Sequence, residues 1–381
     1  MNRDKSSKFT AAIKRILCLT LALLLTVAFT LPTSITDSYA ADPTEQKVER
    51  ILSQMTLEEK VAQMMVVAMP AKNSASIQKS HQFGGYILFA RDFKRTNKKG
   101  MKSLMASCQN SSKIPMLMGT DEEGGTVVRA SYYKKYRKSK FKSPAQVYKK
   151  GKYKGITKDT KKKDAFLKSL GLNTNFGPVA DVPYKKGNFM YKRAFSKKAG
   201  KTSKFVRLCV SQMSKDNVVS ALKHFPGYGK NGDTHGKIIR DKRSKFTFIT
   251  RDLKPFSAGI NAGADMIMVS HTIVNAFDSN NPASLSPNVH SYLRKEMGFN
   301  GVIITDGLAM KGITNFVGGD QGKAAVKAAQ AGNDMLCVTG DYNKCYKALV
   351  KAAKNGTIPE SQIDESVKRI LRMKIKRGII K

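Results

Sequence analysis

The chain is 381 residues long and carries 68 Lys and Arg against 28 Asp and Glu, a formal net charge of +40. That length allows one large domain or two small ones, and the charge favours anionic polymers, nucleic acid or membrane surfaces as partners. No RNA- or DNA-binding motif accompanies the basic residues, which sets nucleic acid aside, and beyond residue 40 no segment is apolar enough to span a bilayer.

The first forty residues read as a secretory signal peptide. Lys5, Lys8, Lys14 and Arg15 precede an apolar run from Ile16 to Leu31, and a polar stretch then ends in Ser38-Tyr39-Ala40, with cleavage predicted after Ala40. A retained membrane anchor is the competing reading, but the run falls short of the roughly 20 residues of a comfortable span. Losing the leader removes five cations and two anions and leaves +37 on residues 41–381. The expected product is extracellular, with an anionic cell-wall polymer as the fitting partner for its charge. The lysines of Lys134–Lys154 and Lys158–Lys163 read as loop clusters on a solvated surface. Cys108, Cys209, Cys337 and Cys345 remain, spaced neither as a zinc ribbon nor as a redox pair. Export permits disulfides, but Cys209 sits in a helix-like segment and Cys337 in an apolar run, so they read as buried thiols and no bridge is assigned.

Eight short apolar, β-branched runs follow in order: Met65–Met69, Gly85–Ala90, Pro115–Asp121, Asn175–Val182, Val218–His224, Met266–His271, Val302–Asp306 and Asp334–Thr339. Between them lie segments of helical period, including Glu58–Met64, Ala165–Leu170, Lys204–Lys215, Pro255–Ala262, Val289–Glu296, Gly322–Ala331 and Tyr342–Asn355. Eight strand–helix repeats predict an α/β fold, a closed (β/α)₈ barrel of the TIM type as a single catalytic domain over residues 41–381; a doubly wound open sheet is the alternative. The tail ends in an amphipathic helix whose apolar face carries Ile363, Val367, Ile370, Leu371 and Met373. Five of the runs carry an ionisable residue at, or one place before, their end: Asp121, Asp181, His224, His271 and Asp306. In a barrel the carboxyl ends of the strands converge on one face, so these groups read as one site.

Three stretches carry the chemistry. In Ala221–His235 a strand end runs into a glycine-rich loop, with Asp233 and His235 two residues apart. In an extended segment such a pair shares a side, and a carboxylate partner fixes the tautomer and raises the basicity of a proton-transferring imidazole. The loop glycines would let the pair swing toward a substrate; mutual capping is the bland alternative. In Gly298–Met310, Asp306 follows four apolar or β-branched residues, so its carboxylate should emerge at the strand end, placed for nucleophilic attack or, more blandly, as a helix N-cap. In Met116–Arg129, Asp121 stands close to a Gly-Gly pair with Arg129 downstream, a set suited to sugar hydroxyls or simply to an acidic turn.

Taken together these stretches resemble glycoside hydrolase family 3, in its β-N-acetylhexosaminidase branch. Lys223–Gly229 with Asp233–His235, Asp121–Gly125 and Gly298–Asp306 each resemble a family signature, as do Phe176–Val182, Arg193–Ser196 and Ala262–His271, and the similarity runs from about Met55 to the C-terminus. The resemblance implies Asp306 as nucleophile, His235 with Asp233 as acid/base dyad, and Asp121, Arg129, Arg193, Lys223 and His224 as the residues holding a non-reducing N-acetylhexosamine. It also implies a retaining reaction through a covalent glycosyl-aspartate, with no metal or other cofactor, on terminal GlcNAc of peptidoglycan fragments (muropeptides) or related glycans. Two departures stand out: Gly307 replaces the second Asp of many relatives, and Lys230-Asn231-Gly232 lengthens the loop before Asp233, which bears on the leaving group. The alternatives are phosphate in place of water as acceptor, a β-glucosidase or β-xylosidase whose acid/base Glu usually comes from a further domain, a zinc site on His224, Asp233 and His235, and a non-catalytic basic wall-binding protein.

Overall fold

The computed structural model describes residues 42–381, so the predicted leader lies outside the described residues. Ten strands follow in chain order. They are β1 (Met65–Ala68), β2 (Gly85–Leu88), β3 (Leu117–Thr120), β4 (Thr174–Asn175), β5 (Val219–Phe225), β6 (Arg240–Asp241), β7 (Met266–Val269), β8 (Ile273–Val274), β9 (Val302–Thr305) and β10 (Leu336–Val338). Eight of them form one sheet in the order β10-β1-β2-β3-β4-β5-β7-β9, every pairing parallel. A parallel bridge between Ile304 and Met335 joins β9 to β10 and closes the ring. The predicted (β/α)₈ barrel is thus the fold, built within the unit Lys47–Lys381. The remaining pair, β6 and β8, makes a small parallel clip beyond the carboxyl ends.

Local sequence explains how the helices start. Thr56 accepts from the Glu59 N–H and donates its own N–H to the Glu59 carboxylate, a reciprocal cap for helix Leu57–Gln63. Ser143 and Gln146 do the same for Pro144–Ser169, where Pro144 needs no N–H partner. That stretch corrects one expectation: the lysines from Lys149 to Lys163 lie on helical backbone, two helical pieces that meet at a kink at Lys152 (φ 49°, ψ −150°), rather than in loop clusters. The fourth strand is corrected too. Regular pairing stops at Asn175, since Pro178 has no N–H for the ladder, and the segment to Val182 follows β5 through a single bridge, Val179 to Lys223.

The amino ends of the strands are clamped from below. Asp265 accepts from the Ser220 N–H and from Arg377 on the far side of the closing helix Glu360–Lys376, and Asp334 accepts from the Ile303 N–H, Arg294 and Arg369. Ile363, Val367, Ile370, Leu371 and Met373 are all buried on that helix, as its period predicts. The four thiols are free and buried. Among the described residues no helix is long and apolar enough to cross a membrane.

Lys374 is the unusual member of this floor. It is fully buried, its ammonium donates to Gln63 Oε1 at 2.8 Å, and burial pushes its pKa down to about 7. The unfolded chain therefore binds one more proton than the folded one between pH about 7 and 10.5, so this residue makes stability rise with pH across that window. Lys374→Met is expected to flatten the rise in denaturant-unfolding free energy from pH 7 to 10; an unchanged slope would show that Lys374 stays charged in the fold.

Candidate active site

A cavity of about 670 Å³ opens at the carboxyl ends of the strands, and the eight residues to which the resemblance gives roles all line it: Asp121, Arg129, Arg193, Lys223, His224, Asp233, His235 and Asp306. Ile87, Phe89, Met268 and Cys337 add an apolar floor. Consecutive residues of β5, Lys223 and His224, both reach the cavity because the register against β7 shifts between Lys223 and Phe225.

The inner wall is a chain of buried charges. Lys223 Nζ lies 2.7 Å from Asp121 Oδ1 and 2.8 Å from Glu123 Oε1; Arg193 forks onto Glu123 at 2.7 and 3.0 Å, and Arg129 reaches Asp121 at 3.2 Å. Burial would raise the Asp121 and Glu123 carboxyls, but the cations outweigh it and both are held below the usual carboxylate range. Glu122 faces away and accepts from the N–H groups of Arg129, Ala130 and Ser131, which fixes the turn that presents Arg129. Gly124 at φ +98° allows this tight course; a Cβ there would sit 2.3 Å from the Lys142 carbonyl. Glu123 is the site residue the sequence reading missed. Its signal was present in the acidic triplet Asp121-Glu122-Glu123, but its partners lie 70 and 100 residues away.

Asp181 and His271, expected in the site with the other strand-end residues, stand behind it. Asp181 accepts from the His224 backbone N–H at 3.0 Å, lies 2.8 Å from His224 Nδ1 and accepts from the Tyr228 N–H at 2.8 Å, while His224 Nε2 faces Arg193 at 3.2 Å. With Asp181 and Arg193 on its two ring nitrogens, His224 has no lone pair to aim at a metal shared with Asp233 and His235. His271 bridges Ser284 Oγ and the Gly307 carbonyl, at 2.7 and 3.0 Å. Asp306 accepts from the Gly307 N–H at 2.7 Å, and the next helix begins only at Lys311, so it is not an N-cap. Burial pushes its carboxyl up, but His224, His271, the Gly307 N–H and His235 outweigh that, and it lies below the usual range. It is anionic at neutral pH, the state a nucleophile needs and a general acid does not.

His235 Nδ1 lies 2.5 Å from Asp233 Oδ1, which also accepts the His235 N–H at 2.9 Å. The His235 side chain is 62% exposed, so its other ring nitrogen is open. The loop whose glycines suggest a freely swinging segment is anchored at several points in this structure. Thr234 is fully buried and shares a 2.7 Å hydrogen bond with the Tyr228 hydroxyl, while the carbonyls of Thr234 and His235 accept from the N–H groups of Gly312 and Lys311 at 2.9 and 3.1 Å. Arg243 holds the Gly227 carbonyl at the loop's start, and the β6–β8 clip holds its end. The dyad is thereby docked on the segment that follows Asp306.

Two outcomes follow. Lys223→Ala leaves the buried carboxylates of Asp121 and Glu123 with one arginine each and removes the cation between them, and is expected to cost about 3–5 kcal/mol in denaturant unfolding; a loss under 1 kcal/mol would mean that the arginines and water compensate them. Gly312→Ala would place a Cβ 2.6 Å from the Thr234 carbonyl, so amide hydrogen exchange across residues 228–237 is expected to accelerate while the barrel strands stay protected; unchanged exchange there would show that the loop does not depend on this seat.

Comparison with known proteins agrees with this architecture. The glycosyl hydrolase family 3 N-terminal domain matches residues 56–373. An uncharacterized secreted glycosyl hydrolase of Arthroderma benhamiae is 29% identical over 319 residues, covering 79% of this chain and 87% of its own. A beta-hexosaminidase of Methylococcus capsulatus is 31% identical over 280 residues, 72% of this chain and 80% of its own. The solved structure of a glycoside hydrolase family 3 beta-N-acetylglucosaminidase from Paenibacillus sp. superposes with a TM-score of 0.79 at 28% identity, over 85% of this chain but only 63% of that one. The present chain is a glycoside hydrolase and belongs to glycosyl hydrolase family 3.

Proposed function

We propose that the protein is a retaining, exo-acting β-N-acetylhexosaminidase that removes terminal GlcNAc from muropeptides or related glycans outside the cell. One observation carries the reading: a half-buried anionic carboxylate, Asp306, and an imidazole backed by its own carboxylate, His235 with Asp233, line one cavity. The relatives named beta-hexosaminidase and beta-N-acetylglucosaminidase support the choice of sugar.

In this reading the sugar binds among Asp121, Arg129, Arg193, Lys223 and His224, in a space of ordinary ligand-pocket size. His235 protonates the glycosidic oxygen as that bond breaks, while Asp306 forms a bond to the anomeric carbon. Asp233 stabilises the imidazolium before transfer and keeps the ring oriented after it. His235, now neutral, takes a proton from water as the water oxygen displaces Asp306 and frees the sugar with retained configuration. The buried cations and anions of the inner wall give fixed donors and acceptors for ring hydroxyls without reorganisation during the reaction.

With a chromogenic N-acetyl-β-glucosaminide, Asp306→Asn is expected to reduce turnover to background and His235→Ala to lower kcat by about 10²–10⁴-fold. Full activity in Asp306→Asn would remove the assignment. Turnover should be indifferent to added phosphate; release of a sugar 1-phosphate would identify phosphate, not water, as the acceptor.

A further inference from the structure

Charge is unevenly placed on this protein. Residues 132–207 hold 24 Lys and Arg and three Asp, a net +21 of the chain's +40 in one fifth of its length. Asp164 and Asp181 are buried, and Asp159 is half-buried with Lys163 at 3.1 Å, so this stretch exposes no carboxylate while exposing 20 lysines. Half of those lysines sit on the two packed helices Pro144–Ser169 and Ala199–Lys215, and the rest on the segments after β3 and β4 that lead from the cavity rim to those helices.

Within this face like charges converge. Lys152 and Lys201, from different helices, lie 5.7 and 5.9 Å from the centroid of the Tyr148 ring, Lys204 lies 4.4 Å from that of Tyr153, and the two rings are 4.8 Å apart. The rings' faces attract each ammonium, but three cations gathered without a counter-charge repel one another. Elsewhere the surface is mixed: residues 311–381 carry 14 basic and six acidic residues, with exposed pairs such as Lys344 with Asp320. A need for solubility alone would spread the cations evenly; it does not explain one face of a single sign.

We infer that the face built by residues 132–207 binds a flexible, linear polyanion, and that the polymer lies from these helices toward the mouth of the cavity. The cations are almost all lysine, compact point charges that follow an irregular chain of phosphates or carboxylates rather than one fixed bidentate group. The only large apolar side chains this stretch exposes are Tyr132, Tyr184 and Tyr191, so it has nothing to bury in a bilayer. A polymer held here keeps the cavity close to whatever glycan is attached to it or packed beside it. The inference does not depend on which sugar the cavity accepts.

The test compares two variants of equal charge. Lys149, Lys150, Lys158 and Lys161, all exposed on the basic face, become Gln in one; Lys323, Lys327, Lys347 and Lys351, exposed elsewhere, become Gln in the other. Labelled inorganic polyphosphate and labelled poly-L-glutamate are titrated at several salt concentrations, with circular dichroism to check folding. The unaltered protein is expected to bind at least one of them with steep salt dependence, the two arms showing whether phosphate or carboxylate is preferred. The basic-face variant should lose about tenfold or more in affinity with a shallower salt slope, and the control variant little. Equal losses in both variants, binding of neither polymer, or tighter binding of duplex DNA or of phosphatidylglycerol vesicles than of either polymer would overturn it.

Discussion

Lys223 places its ammonium between the carboxylates of Asp121 and Glu123 where almost no water reaches, and most of the cavity wall exists to keep that triangle balanced. A buried charge is tolerated only when its partners are close and their remaining lone pairs are used. Arg193 and Arg129 supply what Lys223 leaves unmet, one on each carboxylate. Because these groups come from the ends of β3 and β5 and from the loop after β4, the network ties three neighbouring strand ends to a single electrostatic solution. A rigid array of donors and acceptors at the barrel mouth is its by-product, which is what recognition of a polyhydroxylated ligand requires.

The second layer converts that array into a site. Asp181 uses one carboxylate to orient His224 and to hold the start of the dyad loop through Tyr228, and Tyr228 in turn reaches Thr234 beside the dyad. His271 grips the carbonyl of Gly307, next to Asp306. The two groups assigned to bond cleavage therefore stand on supports that contact each other, through Lys311 and Gly312, rather than on independent loops.

Much of this was legible in the sequence. Strand–helix alternation announces a barrel because a strand buried on both faces must be apolar along its length, and the polar residues that end those runs mark the mouth. The dyad was readable because its partners are two residues apart. What escaped was non-local or conformational. The pairing of Glu123 with Lys223 and Arg193 joins distant positions that no short pattern connects. The glycines near Asp233 suggested mobility, whereas the anchoring of that loop through buried Tyr228 and Thr234 has no local sequence signal. The lysines of residues 149–163 read as loop clusters because this helical stretch has a weak apolar stripe and is broken at Lys152; the cap at Ser143 was its best local sign.

The seating of the dyad loop also bears on how such a site can be moved between scaffolds. The segment 227–241 owes its shape to Asp181, to Arg243 and to the backbone at Gly312, all outside it or at its edge. Transplanted alone onto another barrel, it would keep the Asp233–His235 contact and forfeit its aim. The transferable module is the loop together with these three footings, spread over more than 130 residues of chain.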